Sequence, residues 1–278
     1  MSGRLVVCPT PIGNLEDITL RVLAALREAD VVACEDTRRT RVLLDRYGVK
    51  ARLVSYHEHN ERARAAELVE KMREGAVVAL VSDAGMPLVS DPGYLLVRAC
   101  VAAGLPVEVL PGPSAAITAL VASGLPADEW HFQGFLPRKK GELREVLAGD
   151  SSAAAGHPST LVAFESPRRL PATLALLAEL DPDREVAVCR ELTKVHEEIV
   201  RGSAAELAAR YADGPPKGEI VLVVAPPSAP ASEALDPRAL DALRRLVDAG
   251  AHPRKAATVV ASLTGTSANA LYRALASD

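Results

Sequence analysis

Short apolar runs of strand length alternate with longer stretches whose apolar positions recur every three to four residues. The runs Arg4–Cys8, Val31–Cys34, Leu53–Tyr56, Val77–Val81 and Val107–Leu110 run into Pro9, Glu35, His57-Glu58, Ser82-Asp83 and Pro111, polar or proline punctuation of the kind expected at strand ends. Between them, Ile18, Val22 and Leu26 recur at four-residue spacing. That stripe predicts a helix capped by Asn14, with Asp17 in its positive first turn. Further helices are expected from about Arg39 to Tyr47, from Asn60 to near Gly75, from the central loop to Gly104, and from Ser114 onward. Strand and helix in strict alternation predict a mostly parallel α/β sheet.

The stretch Ala79–Gly93, A-L-V-S-D-A-G-M-P-L-V-S-D-P-G, organises this pattern. A buried strand breaks at Ser82-Asp83-Ala84-Gly85, where small residues let a ligand approach the backbone. Ser90-Asp91-Pro92-Gly93 reads as a restart, with Asp91 as N-cap and Pro92 at the first helical position. These are the parts of a ligand site at a strand's carboxyl end; an ordinary strand-to-helix turn is the plainer reading.

The texture changes after Gly124. Strands are expected at His131–Phe135, Thr160–Phe164, Glu185–Cys189, Glu197–Arg201 and Ile220–Val224, with more hairpin character than before. Residues 150–159 read as a small-residue surface loop and 225–234 as a Pro/Ala/Ser linker. Beyond the linker, helix starts at Pro253 and Thr266-Ser267 suggest three short helices, either a helix-turn-helix unit or a helical cap. The expected domains are 1–123, 124–225 and 235–278.

Composition narrows the class. The chain has 278 residues, 49% hydrophobic and 24% charged, as expected for a soluble globular protein. No apolar run approaches a membrane span, and Met1–Val7 enters a strand with no room for a signal peptide. Cys8, Cys34, Cys100 and Cys189 lie far apart and read as reduced thiols of a cytoplasmic protein. The net charge of −4 argues against polyanion binding over the whole surface. Basic residues nonetheless cluster at Arg38–Arg41, Arg138–Lys140, Arg168-Arg169, Arg244-Arg245 and Arg254-Lys255, and residues 235–278 hold six Lys/Arg against four Asp/Glu.

The loops Thr10–Asn14, Ser82–Gly93, Pro111–Ser114 and Lys217–Glu219 suit a nucleoside-like ligand gripped by backbone groups. G-x-G-x-x-G, the P-loop and the G-x-S-x-G elbow are all missing. His57-Glu58-His59 would place two histidines on one face of a strand, but the remaining ligands of a metal set are missing, and no metal is expected. Glu165, Glu191, Lys194, His196 and Glu197 fall at strand-to-loop junctions. They could orient a nucleophile or act as base, or form a salt-bridge network.

The segments T-P-I-G-N-L-E-D-I-T (10–19), E-D-T-R (35–38), H-E-H-N-E (57–61), S-D-A-G-M-P-L-V-S-D-P-G (82–93) and P-G-P-S-A (111–115) carry a resemblance. It continues through G-F-L-P-R-K (134–139), F-E-S-P-R-R-L (164–170), R-E-L-T-K-V-H-E (190–197) and K-G-E (217–219). In these motifs the chain resembles the tetrapyrrole-methylase superfamily of S-adenosylmethionine-dependent methyltransferases, in its branch acting on ribosomal RNA. The resemblance implies two α/β domains with the cofactor cleft between them, a small C-terminal helical domain in contact with RNA, and a homodimer without membrane attachment. It implies S-adenosyl-L-methionine as cofactor and 2′-O-methylation of a cytidine in the decoding region of 16S ribosomal RNA, within the small ribosomal subunit. A tetrapyrrole methyltransferase and a non-enzymatic nucleic-acid-binding protein are the alternatives.

Matched motif by motif, the cofactor contacts would be Pro11, Asp83, Ala84, Gly85, Pro87, Ser90, Ser114, Ala115, Phe164, Leu192 and Gly218. Glu35, Glu165 and Glu191 are acidic candidates for the 2′-hydroxyl proton, with Arg38 and Lys194 holding phosphate or ribose. Arg138, Lys139, Lys140, Arg168, Arg254 and Lys255 would meet the RNA backbone. One motif departs: Arg168-Arg169 follows Glu165-Ser166-Pro167 where the family usually has His-Arg, so no catalytic role for that histidine is expected here.

Overall fold

The five apolar runs of the first half become β1 (Arg4–Val7), β2 (Val31–Cys34), β3 (Leu53–Ser55), β4 (Val77–Val81) and β5 (Val107–Val109). They form one sheet in the order β3-β2-β4-β1-β5, every pair parallel. The computed structural model describes residues 3–149, 159–227, 237–264 and 268–276. Alternate strand residues face opposite sides. Val6, Val32, Ala79 and Val81 pack under α1 (Leu20–Glu28) and α2 (Thr37–Arg46). Leu5, Val7, Val78 and Leu80 pack under α3 (Glu61–Arg73) and α4 (Tyr94–Ala102). Burial on both faces is why these strands read as continuous apolar runs.

Three expected caps differ. Asn14 caps only a short 3-10 turn, Leu15–Asp17, through Glu16 N–H. Ile18 is extended there, and α1 is capped by Thr19, whose Oγ1 accepts from Val22 N–H at 3.1 Å. Asn60 precedes α3, but its side chain turns back to His57 N–H and the Ser55 carbonyl and does not cap the helix. Asp91 and Pro92 stay in the loop, and α4 begins at Tyr94 after Gly93 at φ 139°. A Cβ on Gly93 would sit 2.7 Å from Leu88 Cδ1, so the turn into α4 requires glycine.

The second sheet holds β6 (Trp130–Phe135), β7 (Thr160–Glu165), β8 (Glu185–Arg190), β9 (Glu198–Ser203) and β10 (Ile220–Val224), in the order β6-β7-β10-β8-β9. Only β6–β7 is parallel; the other pairs are antiparallel, as the hairpin texture suggests. One face packs on α6 (Lys140–Ala148), α7 (Leu170–Leu180) and α8 (Ala204–Arg210). The other face is covered by α5 (Ala115–Ser123), whose Ala116, Ala119 and Leu120 meet Val162, Ala187, Cys189 and Val221. Thus α5, which follows the first sheet in sequence, packs on the second. Arg201 of β9 donates to the carbonyls of Ala122 and Ser123 at its C-terminal end.

These elements form one compact unit ending at Pro226, and a second unit begins at Pro227. The second unit contains α9 (Pro237–Asp248), α10 (Pro253–Thr264) and α11 (Ala268–Ala276) around Leu243, Ala257, Val260 and Leu271. Pro253 starts a helix as expected. The Thr266-Ser267 start, residues 150–158 of the loop and the linker from 228 lie outside the described residues. Among the described residues no helix is long and apolar enough to cross a membrane.

Candidate active site

The carboxyl ends of β1 and β4 are adjacent, so their loops meet. Thr10 and Gly85 exchange both backbone N–H···O bonds at 2.9 Å, Thr10 Oγ1 donates to Ser82 O at 3.1 Å, and Ser82 Oγ donates to Gly85 O at 3.0 Å. From the second sheet, the 190–194 loop closes onto this pair. Gly13 permits that approach: a Cβ there would lie 2.5 Å from Lys194 Cγ and 2.9 Å from Leu192 O. Leu88 (φ 73°), Ser90 (φ 64°), Glu191 (φ 51°) and Thr193 (φ 67°) are the non-glycine residues at positive φ among those described. All four sit in these facing loops. Such strain persists only where surrounding packing over-determines it, and it concentrates at ligand sites.

A cavity of about 360 Å³ opens between the loops. Ile12, Ala84, Gly85, Ser90 and Asp91 line it from the first sheet's side, Ser114 and Ala115 from the N-terminus of α5, and Phe164, Leu192, Gly218 and Val221 from the second sheet's side. Phe164 is fixed edge-on by Phe132 at 5.0 Å and Phe135 at 5.4 Å. A second cavity of about 370 Å³ shares Ile12, Ala84 and Glu219 with the first. Its lining includes Pro11, Arg39, Thr40, Asp83 and Lys194. One cavity is largely apolar and its neighbour is charged.

Of the residues expected around a cofactor, Ala84, Gly85, Ser90, Ser114, Ala115, Phe164, Leu192 and Gly218 line the first cavity, and Pro11, Asp83 and Ala84 the second. Pro87 lines neither. The proton-accepting candidates are differently placed. Glu165 lines the first cavity, but its side chain is wholly buried. Its oxygens accept from Thr173 Oγ1 at 2.6 Å and Ser166 N–H at 2.7 Å, with Arg169 at 3.4 Å. Glu191 Oε1 accepts from Lys194 Nζ at 2.7 Å and Glu219 N–H at 2.8 Å. Those two bonds, Lys194's first, hold its carboxyl below the usual range. Burial pulls Lys194 down, but its bonds to Glu191 and Glu219 outweigh that and raise it overall. This part of the sequence-derived cluster is a salt-bridge network; Glu197 joins by accepting Thr193 N–H, and His196 is exposed.

Glu35 lines neither cavity; burial and then the Asp83 charge raise its pKa. Arg38 also lines neither: its guanidinium is 89% exposed and pairs with Asp36 at 2.7 Å. Its neighbour Arg39 lines the second cavity, 3.5 Å from Asp83 Oδ2. Because α2 begins at Thr37, positions 38 and 39 point about 100° apart, which a motif ending at Arg38 does not reveal. Asp91, whose chemistry and position suggest an N-cap, likewise lines the first cavity.

Among the basic candidates, Arg138 and Lys140 line a groove of about 570 Å³ with Arg169. Lys139 pairs with Glu142 at 2.8 Å, and Arg168 is exposed. In the C-terminal unit Arg254 lies 5.7 Å from the Tyr272 ring, with Lys255 exposed beside it. His57 and His59 are not on a strand, because β3 ends at Ser55; they sit in the following turn with ring centroids 5.9 Å apart. No group of three metal-ligating side chains gathers among the described residues.

Comparison with known proteins bears on this geometry. Residues 4–208 match the family model of Tetrapyrrole (Corrin/Porphyrin) Methylases. The chain is 49% identical over 273 residues to "Ribosomal RNA small subunit methyltransferase I" of Mesorhizobium japonicum, covering 98% of this chain and 90% of that protein. The protein of the same name from Escherichia coli O157:H7 is 45% identical over 276 residues, covering 98% and 94%. Among solved structures, a uroporphyrin-III-C-methyltransferase from Thermus thermophilus superposes with a TM-score of 0.55 at 26% identity, covering 81% of this chain and 94% of that one. Its complex with S-adenosyl homocysteine gives 0.53 at 22% identity, covering 80% and 97%, a likeness of fold.

Proposed function

The chain belongs to the tetrapyrrole (corrin/porphyrin) methylase family, among the ribosomal RNA small subunit methyltransferase I proteins, and on that premise we propose its reaction. It transfers a methyl group from S-adenosylmethionine to the ribose 2′-oxygen of a cytidine in the decoding region of 16S ribosomal RNA. One observation carries the reading: the apolar cavity and the charged cavity share the wall made by Ile12, Ala84 and Glu219.

The first cavity suits the cofactor. Its volume, about 360 Å³, lies in the range of roughly 300–1,000 Å³ typical of small-molecule sites. Phe164, Leu192 and Ile12 offer apolar surface to a nucleobase. Ser114 and Ala115 offer the start of α5, where the first N–H groups of a helix favour a carboxylate. When bound, S-adenosylmethionine supplies a methyl already activated by positive sulfur, so the protein's work is alignment. Arg39 and Lys194 of the second cavity would hold the phosphates that flank the ribose, leaving the ribose itself at the wall the two cavities share. The 1–123 and 124–225 halves would form the cleft, with 235–278 and the Arg138–Lys140 and Arg168 surface on the RNA. The substrate would be this RNA, either within the small subunit or free of it, and the working form a homodimer.

Transfer of labelled methyl to three acceptors tests this: unmethylated small ribosomal subunits, the naked RNA extracted from them, and a tetrapyrrole precursor. Labelling of subunit or RNA supports the reading. Labelling of the tetrapyrrole alone overturns the substrate while leaving the family intact.

A further inference from the structure

An alcohol is a weak nucleophile, so a proton acceptor at the cavity would speed its attack. The structure ties up the acidic residues that the motifs suggest. Glu165 is enclosed by Thr173, Ser166 and Arg169, Glu191 by Lys194 and Glu219 N–H, and Glu35 lies off both cavities. Asp83 accepts from Asp36 N–H at 3.0 Å and faces Arg39, while Glu219 pairs with Lys194 at 3.0 Å.

Asp91 is placed differently. It lines the first cavity with its carboxylate beside Ser82 and Asp83, which line the second, in a loop whose Leu88 and Ser90 hold left-handed backbone angles. The groups acting on it are the Ser82 hydroxyl and the carboxylates of Glu35 and Asp83, from the ends of β4 and β2. Glu165 and Glu219 line the same cavity from the second sheet's side. The cations nearby, Arg39 and Lys194 of the second cavity and Arg169 beside Glu165, are engaged by Asp83, the Glu191–Glu219 pair and Glu165 respectively.

We propose that Asp91 accepts the proton of the ribose 2′-hydroxyl during methyl transfer. This rests on the ribose-methylation reading above. The 2′-oxygen bonds to the methyl carbon, the carbon–sulfur bond breaks with its electron pair left on sulfur, and the hydroxyl proton moves to the Asp91 carboxylate and then to solvent. Burial first, then the Glu35 charge, raises Asp91 to about 6, with the nearby Ser82 hydroxyl opposing. A carboxyl there is ionised at neutral pH yet basic enough to take a proton.

The test compares wild type with Asp91→Asn and Asp91→Glu. Readouts are cofactor affinity by calorimetry, carboxyl titration by difference infrared spectroscopy on the substrate-free protein, and the pH dependence of single-turnover transfer to RNA. Wild type should show a carboxyl titrating near 6 and a rate falling as pH drops through it. D91N should lose that titration, keep its cofactor affinity and transfer about 100-fold more slowly or worse; D91E should retain an acid limb. The proposal is overturned if D91N transfers at the wild-type rate, if its whole defect is in cofactor affinity, or if wild type lacks the acid limb. The wild-type limb does not depend on whether a variant folds. If wild type methylates no RNA at all, the underlying reading fails and takes the proposal with it. A failure confined to the Asp91 readouts leaves that reading standing.

Discussion

The backbone N–H of Asn14 donates to Thr193 Oγ1 at 2.9 Å, a bond that joins the first strand-end loop of the parallel sheet to the 190–194 loop of the other sheet. The contact requires glycine next door, since a Cβ at position 13 would meet Lys194, Thr193 and the backbone of Leu192. Gly13→Ala therefore forces the loops apart and should cost about 1–3 kcal/mol of stability, the usual range for overpacking. It should also weaken cofactor binding. Urea unfolding and calorimetry measure both; unchanged values would show that the loops are not held by this contact.

Glu165 is expected to act structurally. Replacing it with Gln turns one accepting oxygen into a donor that must face Thr173, Ser166 N–H or Arg169, all of them donors here. Glu165→Gln should lose about 1–3 kcal/mol, the penalty of a buried unsatisfied group. At saturating substrates its turnover should stay within about threefold of wild type, well short of the roughly 100-fold loss of a general base. A turnover collapse with intact stability would return Glu165 to the chemistry.

Asp91 has a stability signature as well. Its folded value of about 6 stands above the ordinary 3.8, so between those values the folded state binds more protons than the unfolded. Stability therefore falls as pH rises through that window. Asp91→Asn removes this cost: it should raise Tm at pH 8 relative to wild type and leave the pH 4 difference small. Equal Tm differences at both pH values would contradict the shift.

Arg169 braces the basic loop by donating to Leu136 O at 3.0 Å and to Pro137 O. Arg169→Met should therefore weaken RNA binding more than cofactor binding. Removing Arg138 and Lys140 directly should lower the salt dependence of RNA affinity by about one unit of log–log slope per lost phosphate contact. Filter binding across salt concentrations reads both. A slope identical to wild type would remove this surface from the RNA interface.

The strands were legible because burial on both faces writes them as unbroken runs such as Val77–Val81. The paired loops were legible because Gly, Pro, Ser and Asp crowd their carboxyl ends. Caps were less so: Asn14, Asn60 and Asp91 all have cap chemistry, and which backbone N–H each meets depends on the path of the next few residues. The register of α2, which brings Arg39 and not Arg38 to the cavity, needs a helix start known to one residue. The packing of α5 on the second sheet leaves no local trace, since an Ala-rich helix fits either sheet. Which carboxylates are occupied is likewise decided by partners distant in sequence, as Glu191 is by Glu219 N–H.

The most direct measurement is nucleoside mass spectrometry of 16S ribosomal RNA from unmethylated small subunits, incubated with this protein and S-adenosylmethionine. The account predicts one new nucleoside, a cytidine methylated on its ribose, mapping to the decoding region and missing when the cofactor is omitted. A methyl group on the base, or no methylated nucleoside despite bound cofactor, would contradict it.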